Sequence, residues 1–335
     1  MKNKEKKNEN QVELFKLIEK VIPANVSLTR QISKVLNISS DSSYRRIRGE
    51  KLINFEEIEK LCKQYDISLD VLLYGMNKMQ YSFIPKDLRD IKSYLAYADE
   101  LDSITEKIKM NDDNEIILSA ADIPAFYIVA YDEVRLFHLF SWHKNFYDFD
   151  GSYEDFVKEL DVDTLKQHCE KIYSNYQNIP STEVWTQSTI DSTLKMINYH
   201  CIMDHFENKN IPIVICDQLL NFIKTLGDWI KKGSKGTNNT PFKFYVNEVD
   251  IGNTLIFNKN KSKNECVVVR LFTVNGINIR DLRFCNEVDN WLNSLIKRSS
   301  LISGISTKER FLFLSAQKKK ITDMIDKIKT NQLSI

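Results

Sequence analysis

Glycine is scarce in this sequence, and its scarcity excludes several classes of enzyme. Only nine glycines occur in 335 residues. Neither a G-x-G-x-x-G nor a G-x-x-x-x-G-K-[ST] segment is present to cradle a phosphate group. The G-x-S-x-G nucleophile elbow and the H-E-x-x-H zinc motif are missing too. We therefore expect a protein that is not an enzyme and uses no cofactor.

Cysteine and histidine are also too few, and too scattered, to predict a metal site. The six cysteines include no C-x-x-C pair, which is typical of reduced thiols in a cytoplasmic protein. His138 and His143 are five residues apart, as are His200 and His205, whereas ligands on one helix face favour a spacing of three or four. We expect these histidines to be core or surface groups.

Long apolar runs are missing as well. The longest candidate, around residues 123–131, has nine residues, against the roughly 20 that a membrane-spanning helix needs. The N-terminus is charged and lacks the apolar segment of a signal peptide. We expect no membrane association, a cytoplasmic location and, from the length, two or three domains.

The net charge of +1 conceals a basic N-terminal end. Residues 1–51 contain twelve Lys and Arg against six Asp and Glu, and the remainder contains 35 basic and 40 acidic residues. Part of the excess is a Lys-rich tail, residues 1–9, which we expect to be disordered. The other basic residues lie in the segment that follows, which indicates that one domain contacts a polyanion.

Residues 10–76 have the helical periodicity and capping residues of a compact five-helix bundle. The first helix begins near Gln11 and is stopped by Pro23. The expected caps of the next four helices are Ser27, Ser39 or Ser40, Asn54 and Ser68. Gly49 ends the third helix, because glycine adopts the left-handed C-terminal conformation most easily.

The third helix, residues 40–48, carries the functional prediction. With Ile47 as its buried position, Ser40, Ser43 and Tyr44 fall on the same inner side, and Ser42 and Arg45 point outward. Three arginines among small polar residues suit the major groove of DNA. The candidate DNA contacts are Thr29, Arg30, Ser40, Asp41, Ser42, Arg45, Arg46, Arg48 and Lys51. The alternatives are a helical bundle that binds protein, or a domain whose basic face is only solvated.

The segments LTRQISKVLNISSDSSYRRIRGEK and NFEEIEKLCKQYDISLDVLL resemble the Cro/repressor-type (XRE-like) helix-turn-helix, including its BetR-like relatives. The resemblance covers about a fifth of the chain and implies a DNA-binding domain whose third helix reads the major groove. Asp41 replaces the usual Gln, and one residue is missing before Gly49, so an operator sequence cannot be inferred. One such module binds weakly, which leads us to expect a homodimer on two half-sites of double-stranded DNA.

Residues 77–110 are expected to form a helical linker. Ile84, Leu88, Ile91, Leu95 and Ala98 alternate at spacings of four and three, like a short coiled-coil seam. This helix would either dimerise the DNA-binding domains or pack on the next domain. The sequence leaves both open.

Residues 111–335 are predicted to be mainly helical with a small α+β part, which makes the whole chain mainly α. Expected helices are 132–146, 153–160, 163–176, 188–206, 212–232, 286–297 and 308–329. Expected strands of an antiparallel meander are 242–249, 254–258, 266–272 and 277–280. Six aromatic residues are candidates for an apolar pocket, although core packing explains them equally well: Phe126, Phe137, Phe140, Trp142, Trp185 and Trp229.

The segments DIPAFYIVAYDEVRLFHLFSW, IPSTEVW and LISGISTKER resemble the C-terminal half of uncharacterised Bacteroidetes helix-turn-helix proteins. That likeness implies an arrangement of domains, but it indicates no ligand and no chemical activity. Two functions follow from the sequence, and an unrecognised enzyme tethered to DNA is a third, less favoured alternative. The first is a transcriptional regulator controlled by its C-terminal domain, through a small-molecule or protein effector. The second is an adaptor in which the C-terminal half is the working part and DNA contact is weak.

Overall fold

The computed structural model describes residues 9–22, 26–65, 67, 86–111, 113–260, 265–271 and 275–333. The chain forms two compact units, Met1–Ser82 and Phe83–Ile335. Several predicted features lie outside the described residues: the tail up to residue 8, Pro23, the fifth helix of the bundle and the turn at 75–78. The predicted domain boundaries at 76 and 110 stay predictions.

Four helices are described in the first unit: α1 (Glu9–Val21), α2 (Leu28–Leu36), α3 (Ser40–Ile47) and α4 (Phe55–Tyr65). Their core contains Leu14, Phe15, Ile18, Ile32, Leu36 and Leu61. Since each helix is short, little of its stability comes from intrinsic propensity and most comes from this shared core.

Two of the three predicted helix N-caps that the structure describes, Ser39 and Asn54, form the expected hydrogen bonds. Ser39 begins α3 and its hydroxyl accepts a hydrogen bond from the Ser42 amide, 3.2 Å away. Asn54 and Glu57 each accept from the other's amide at the start of α4, which is the reciprocal pattern of a capping box. Gly49 has φ +73°, the left-handed conformation expected after a helix. Ser27 stands at the N-cap of α2 but makes no side-chain hydrogen bond there.

The second unit contains nine helices among the described residues. They are α5 (Ser93–Lys109), α6 (Ala125–Ile128), α7 (Asp132–Phe146), α8 (Tyr153–Glu159), α9 (Val162–Gln177), α10 (Asp191–Ile202), α11 (Ile211–Lys232), α12 (Leu282–Lys297) and α13 (Thr307–Thr330). Helix α5 packs against α9. Leu88, Ile91 and Ala98 of the expected seam are buried in the core of this unit, so they are not free to form a dimer contact.

An eight-stranded mixed sheet runs through the second unit. Its strands are β1 (Asn114–Ser119), β2 (Ser181–Thr186), β3 (Ser234–Lys235), β4 (Thr240–Asn247), β5 (Leu255–Asn260), β6 (Cys266–Arg270), β7 (Gly276–Ile279) and β8 (Ser300–Leu301). The order is β3-β4-β2-β1-β5-β6-β7, and β8 pairs with β4. Strands β5, β6 and β7 form three strands of the predicted antiparallel meander. The prediction was wrong for its first strand, 242–249, because β4 pairs in parallel with β2 and does not lie beside β5.

Strands β1, β2 and β4 run parallel, an arrangement that the sequence reading missed. The residues of β2 are buried on both faces, and β1 is nearly so. A strand covered on both sides lacks the alternation of apolar and polar residues by which surface strands are recognised. The overall prediction of a mainly helical chain with an N-terminal bundle and strands in the C-terminal region is confirmed.

Among the helices of the described residues, none is both long enough and apolar enough to cross a bilayer.

Candidate nucleic-acid interface

Helix α3 is held in the first unit by a buried glutamine of α1. The Gln11 amide nitrogen donates to the carbonyl oxygens of Arg46, at 2.7 Å, and Lys51, at 2.8 Å. Its oxygen accepts from the Ile53 amide at 3.1 Å. A single side chain thus ties α1 to the end of α3 and to the loop after it. Periodicity could not reveal this role, because Gln11 stands where an apolar residue is ordinarily expected.

A buried serine brings α3 close to α2. Ser43 is fully buried, and its hydroxyl donates to the Thr29 carbonyl oxygen at 2.9 Å. Its small side chain lets the two backbones approach closely, and the hydrogen bond satisfies the polar group that burial would otherwise leave without a partner. The predicted inward position of Ser43 agrees with the structure.

Arg46 does not lie on the exposed face where the sequence placed it. Its side chain is only 7% exposed and forms a bidentate pair with Glu57, with Nε–Oε2 and Nη2–Oε1 distances of 3.1 and 2.8 Å. The remaining nitrogen, Nη1, donates to the Ser42 hydroxyl at 2.6 Å. A guanidinium fork that binds a half-buried carboxylate in this way joins α3 to α4. Arg46 is therefore a structural residue, and only two of the three arginines remain exposed.

The exposed face of α3 also differs from the predicted one. Ser40 and Tyr44 were expected to face inward, but both are exposed, and Ile47 is only half-buried. The inward positions are Ser43 and Arg46, because α3 packs through a small residue and a paired arginine rather than through an apolar stripe. The outward face consists of Asp41, Tyr44, Arg45 and Arg48, at the intervals of three, four and seven that place residues on one side of a helix.

The two exposed arginines of α3 have different surroundings. The Arg48 guanidinium lies 5.4 Å from the centre of the Tyr44 ring, and its Nη1 donates to the Tyr44 hydroxyl at 3.2 Å. Its Nε is 3.3 Å from a Glu50 carboxylate oxygen. Arg45 forms no side-chain hydrogen bond or ion pair with any residue in the described parts of the chain. An anion can therefore bind the Arg45 guanidinium without first breaking an ion pair between Arg45 and another side chain.

The other candidate residues differ in their exposure to solvent. Thr29 and Ser42 are half-buried, and Ser42 is partly occupied by its contact with Arg46. Arg30 and Lys51 are exposed. The exposed basic residues therefore include one on α2, two at the end of α3 and one in the loop after it.

The Arg46–Glu57 pair leads to a stability prediction. Arg46→Met is expected to lower the local unfolding free energy of α3 and α4 by about 1–3 kcal/mol, since it leaves a largely buried carboxylate without its main donors. Hydrogen exchange of peptides covering residues 40–65 in the full chain would measure the change. Arg45→Met is the matched control, because Arg45 is exposed, and faster exchange in both variants would contradict the assignment.

The same pair predicts a dependence on pH. Partial burial alone would raise the pKa of Glu57, but the hydrogen bonds from Arg46 and the Asn54 amide hold that pKa below its ordinary value of 4.5. A carboxyl whose pKa is lowered by folding contributes stability above its ordinary pKa and loses it as pH falls through the lowered one. The difference in exchange between wild type and Arg46→Met should therefore shrink on acidification below about pH 4.5.

A second polar group, fully buried, lies in the second unit and was not predicted. Glu183 on β2 accepts at Oε1 from the hydroxyls of Tyr127, 2.7 Å away, and Tyr176, and at Oε2 from the Trp185 indole at 2.8 Å. Lys235 lies 3.3 Å from the centre of the Tyr176 ring and donates to the Ser181 hydroxyl at 2.7 Å. Burial raises the pKa of Glu183 and lowers that of Lys235, and the charge of each opposes the shift of the other.

The histidines and the six aromatic residues belong mainly to the protein interior. His138, His143 and His200 are buried, as are Phe137, Phe140, Trp185 and Trp229. The described residues contain no group of three or more His, Cys, Asp or Glu placed to hold a metal ion. Burial lowers the pKa of His138 and His200 to about 3, so both are neutral at physiological pH.

The second unit has a polar cavity of about 380 Å³ between α7, α9 and α11. Arg135, Asp132 and Lys166 form part of its wall, where the Asp132 carboxylate accepts from the Arg135 guanidinium at 2.8 Å and from the Lys166 ammonium at 3.0 Å. The wall also carries Glu170, Tyr131, Tyr173, Gln218 and Asn221. None of the six aromatic residues that the sequence suggested for a pocket lines this cavity.

Comparison with known proteins finds a similarity to one family, in the N-terminal part of the chain. Residues 10–96 match the family model of the BetR domain, a helix-turn-helix type of domain. The match covers about a quarter of the chain, includes α1 except its first residue and all of α2 to α4, and ends within α5. No curated protein and no solved structure matches the chain. The BetR domain indicates a DNA-binding regulatory role in general terms.

Proposed function

We propose that the protein is a sequence-specific transcriptional regulator of the Cro/repressor type, in which α3 enters the major groove of double-stranded DNA. The observation that carries the proposal is the outward face of α3, where Arg45 has no partner among the described residues and stands beside Tyr44 and Arg48. Gln11, Ser43 and Arg46 hold the helix from behind, so binding would cost little ordering of the backbone. Arg30 and Lys51 extend the basic surface toward the phosphates.

The regulator acts as a homodimer in this proposal. A single helix-turn-helix module buries only ~600–1,000 Å² on DNA, which gives modest specificity. Two copies on half-sites about 10 base pairs apart would combine their contacts. The second unit is proposed to bring the copies together or to bias them in response to an effector, and the polar cavity of 380 Å³ has the size of a small-molecule site. The protein would act by binding, not by catalysis, in the cytoplasm.

Selection of bound fragments from random DNA tests the proposal most directly. We expect the full chain to enrich one sequence with two related half-sites, and its affinity to fall steeply as salt rises, because bound basic residues release counterions from the phosphates. Fluorescence anisotropy at several salt concentrations would measure the slope. A single enriched half-site would rule out the dimer, and the absence of any enriched sequence would rule out the regulator.

An adaptor protein is the second candidate, and an exposed apolar patch of the second unit favours it. Ile305 is 97% exposed, and Phe311 and Leu312 at the start of α13 are also largely exposed. A group of exposed apolar side chains this close in sequence is typical of a protein contact. The two functions differ in the selection experiment, since an adaptor would retain no DNA sequence in preference to others.

A further inference from the structure

Tyr44 has a place on α3 that suits direct reading of a base. It lies 49% exposed in the middle of the outward face, next to Arg45 and one turn before Arg48. No hydrogen bond in the described part of the chain uses it to hold the fold; its one side-chain partner is the exposed Arg48. A large aromatic side chain at the centre of a polar face exposes apolar surface to water without any benefit to the core.

Arg48 and Glu50 fix the orientation of the Tyr44 ring. The Arg48 guanidinium carbon lies 5.4 Å from the centre of the ring, within cation–π range, and its Nη1 donates to the Tyr44 hydroxyl at 3.2 Å. Glu50 holds Arg48 from the other side at 3.3 Å. With its hydroxyl accepting from Arg48 and about half of its surface exposed, Tyr44 leaves apolar ring surface open on the outward face. Arg48 therefore positions the Tyr44 ring, whereas Arg45 would contact the DNA itself.

Each base pair presents a different group in the major groove, and only one of them is apolar. Guanine offers two acceptors that suit arginine, adenine a donor and an acceptor that suit an amide, and cytosine an amino donor. Thymine adds the 5-methyl group, which is recognised by apolar side chains. The face of α3 carries no Asn or Gln, so an aromatic edge beside a free arginine matches a thymine next to a guanine.

We propose that the Tyr44 ring edge contacts the 5-methyl group of a thymine, so that each half-site requires a thymine at one fixed position. This inference rests on the proposed DNA-binding function and adds the identity of one base to it. Tyr44 supplies the contact, and Arg48, held by Glu50, keeps the ring in place.

Replacing thymines by deoxyuridine, one position at a time, tests the contact on the wild-type protein. Deoxyuridine pairs like thymine and lacks only the methyl group. In the operator that selection returns, we expect one position in each half-site at which deoxyuridine weakens binding of the full chain about fourfold, the value of one buried methyl group. At every other thymine, replacement by deoxyuridine should change the affinity by less than about twofold.

Variants assign the sensitive position to Tyr44. Tyr44→Ala is expected to bind thymine and deoxyuridine equally well at that position. Tyr44→Phe keeps the ring and its cation–π contact with Arg48 but loses the hydroxyl that accepts from Arg48, so it should retain part of the discrimination. Arg48→Ala should reduce the discrimination between the two bases, which a role confined to phosphate binding would not do. Lys63→Ala, an exposed change on α4, is the matched control and should bind like wild type.

Three results would overturn the inference. An operator without any methyl-sensitive position refutes it without the need for a variant. A sensitive position that persists in Tyr44→Ala assigns the contact to another residue. Loss of discrimination in Tyr44→Phe would show that the hydroxyl is what matters. In each of these cases wild type still binds the operator, so the proposed function stands; if wild type enriches no operator at all, both proposals fail.

Discussion

Lys235→Met is expected to lower the free energy of unfolding of the second unit by about 3–5 kcal/mol, because it removes the buried cation whose charge favours the ionised form of the fully buried Glu183. Three donors remain on the Glu183 carboxylate, from Tyr127, Tyr176 and Trp185. These hydrogen bonds stabilise the ionised form but do not neutralise it. The change also removes the ammonium from the face of the Tyr176 ring, where cation–π attraction is strong because water is excluded.

Tryptophan fluorescence during urea unfolding measures this effect in the full chain. All four tryptophans lie in the second unit, between Trp142 and Trp291, so the signal does not report on the first unit. Lys232→Met, three residues away and exposed, is the matched control and should keep the wild-type midpoint. The double variant Glu183→Gln with Lys235→Met should be more stable than Lys235→Met alone, since no unpaired charge remains. A midpoint for Lys235→Met equal to that of wild type would contradict the role of the pair.

Arg45→Ala is expected to weaken operator binding by about 5- to 150-fold, the range that corresponds to one good bidentate contact. Arg45 is exposed and has no side-chain partner among the described residues, so its removal should leave the first unit folded. The measurement is fluorescence anisotropy with the selected operator, with hydrogen exchange over residues 40–65 as the check on folding. Unchanged affinity together with unchanged exchange would remove α3 as the recognition helix.

The dependence of affinity on salt shows what Arg45 contacts. If it binds a phosphate, Arg45→Ala should reduce the salt slope by about one and weaken all DNA sequences alike. A base contact should instead relax the requirement for one base pair of the operator. Lys63→Ala on α4 is a suitable control for the loss of one positive charge. We expect the base contact, because Arg45 lies in the middle of the outward face.

Arg46 shows that composition alone does not reveal which basic residues of a helix are exposed for binding and which hold the fold together. The sequence places three arginines within four positions, and nothing local distinguishes Arg46 from its neighbours. Its partner Glu57 lies eleven residues further on, at the start of α4. Only the tertiary placement of α3, packed on α2 and α1 and linked to α4 through Arg46 and Glu57, decides which arginine is paired and which are exposed. The same placement leaves Tyr44 exposed.

The features determined by the sequence alone are those that depend on near neighbours. The cap at Ser39, the reciprocal pair of Asn54 and Glu57 and the left-handed Gly49 involve residues within a few positions of each other, and the boundaries of α7 at Asp132 and Phe146 were predicted as observed. Helical periodicity likewise reports an amphipathic surface from a single segment. The helix-turn-helix nature of the first unit was accessible for this reason.

Tertiary structure alone decided the features that join distant segments. The parallel strands β1, β2 and β4 are separated by helices. Nearly all residues of β1 and β2 are buried, so no local alternation marks those two strands. Strand β4 does alternate, but its parallel pairing with β2 depends on a distant segment. Glu183 and Lys235 are 52 positions apart, and a buried charge is tolerated only where another element supplies its partners. Gln11 is another buried polar residue with distant partners, since its amide donates to the carbonyl oxygens of Arg46 and Lys51. Burial of a polar residue depends on partners that the chain brings close only by folding.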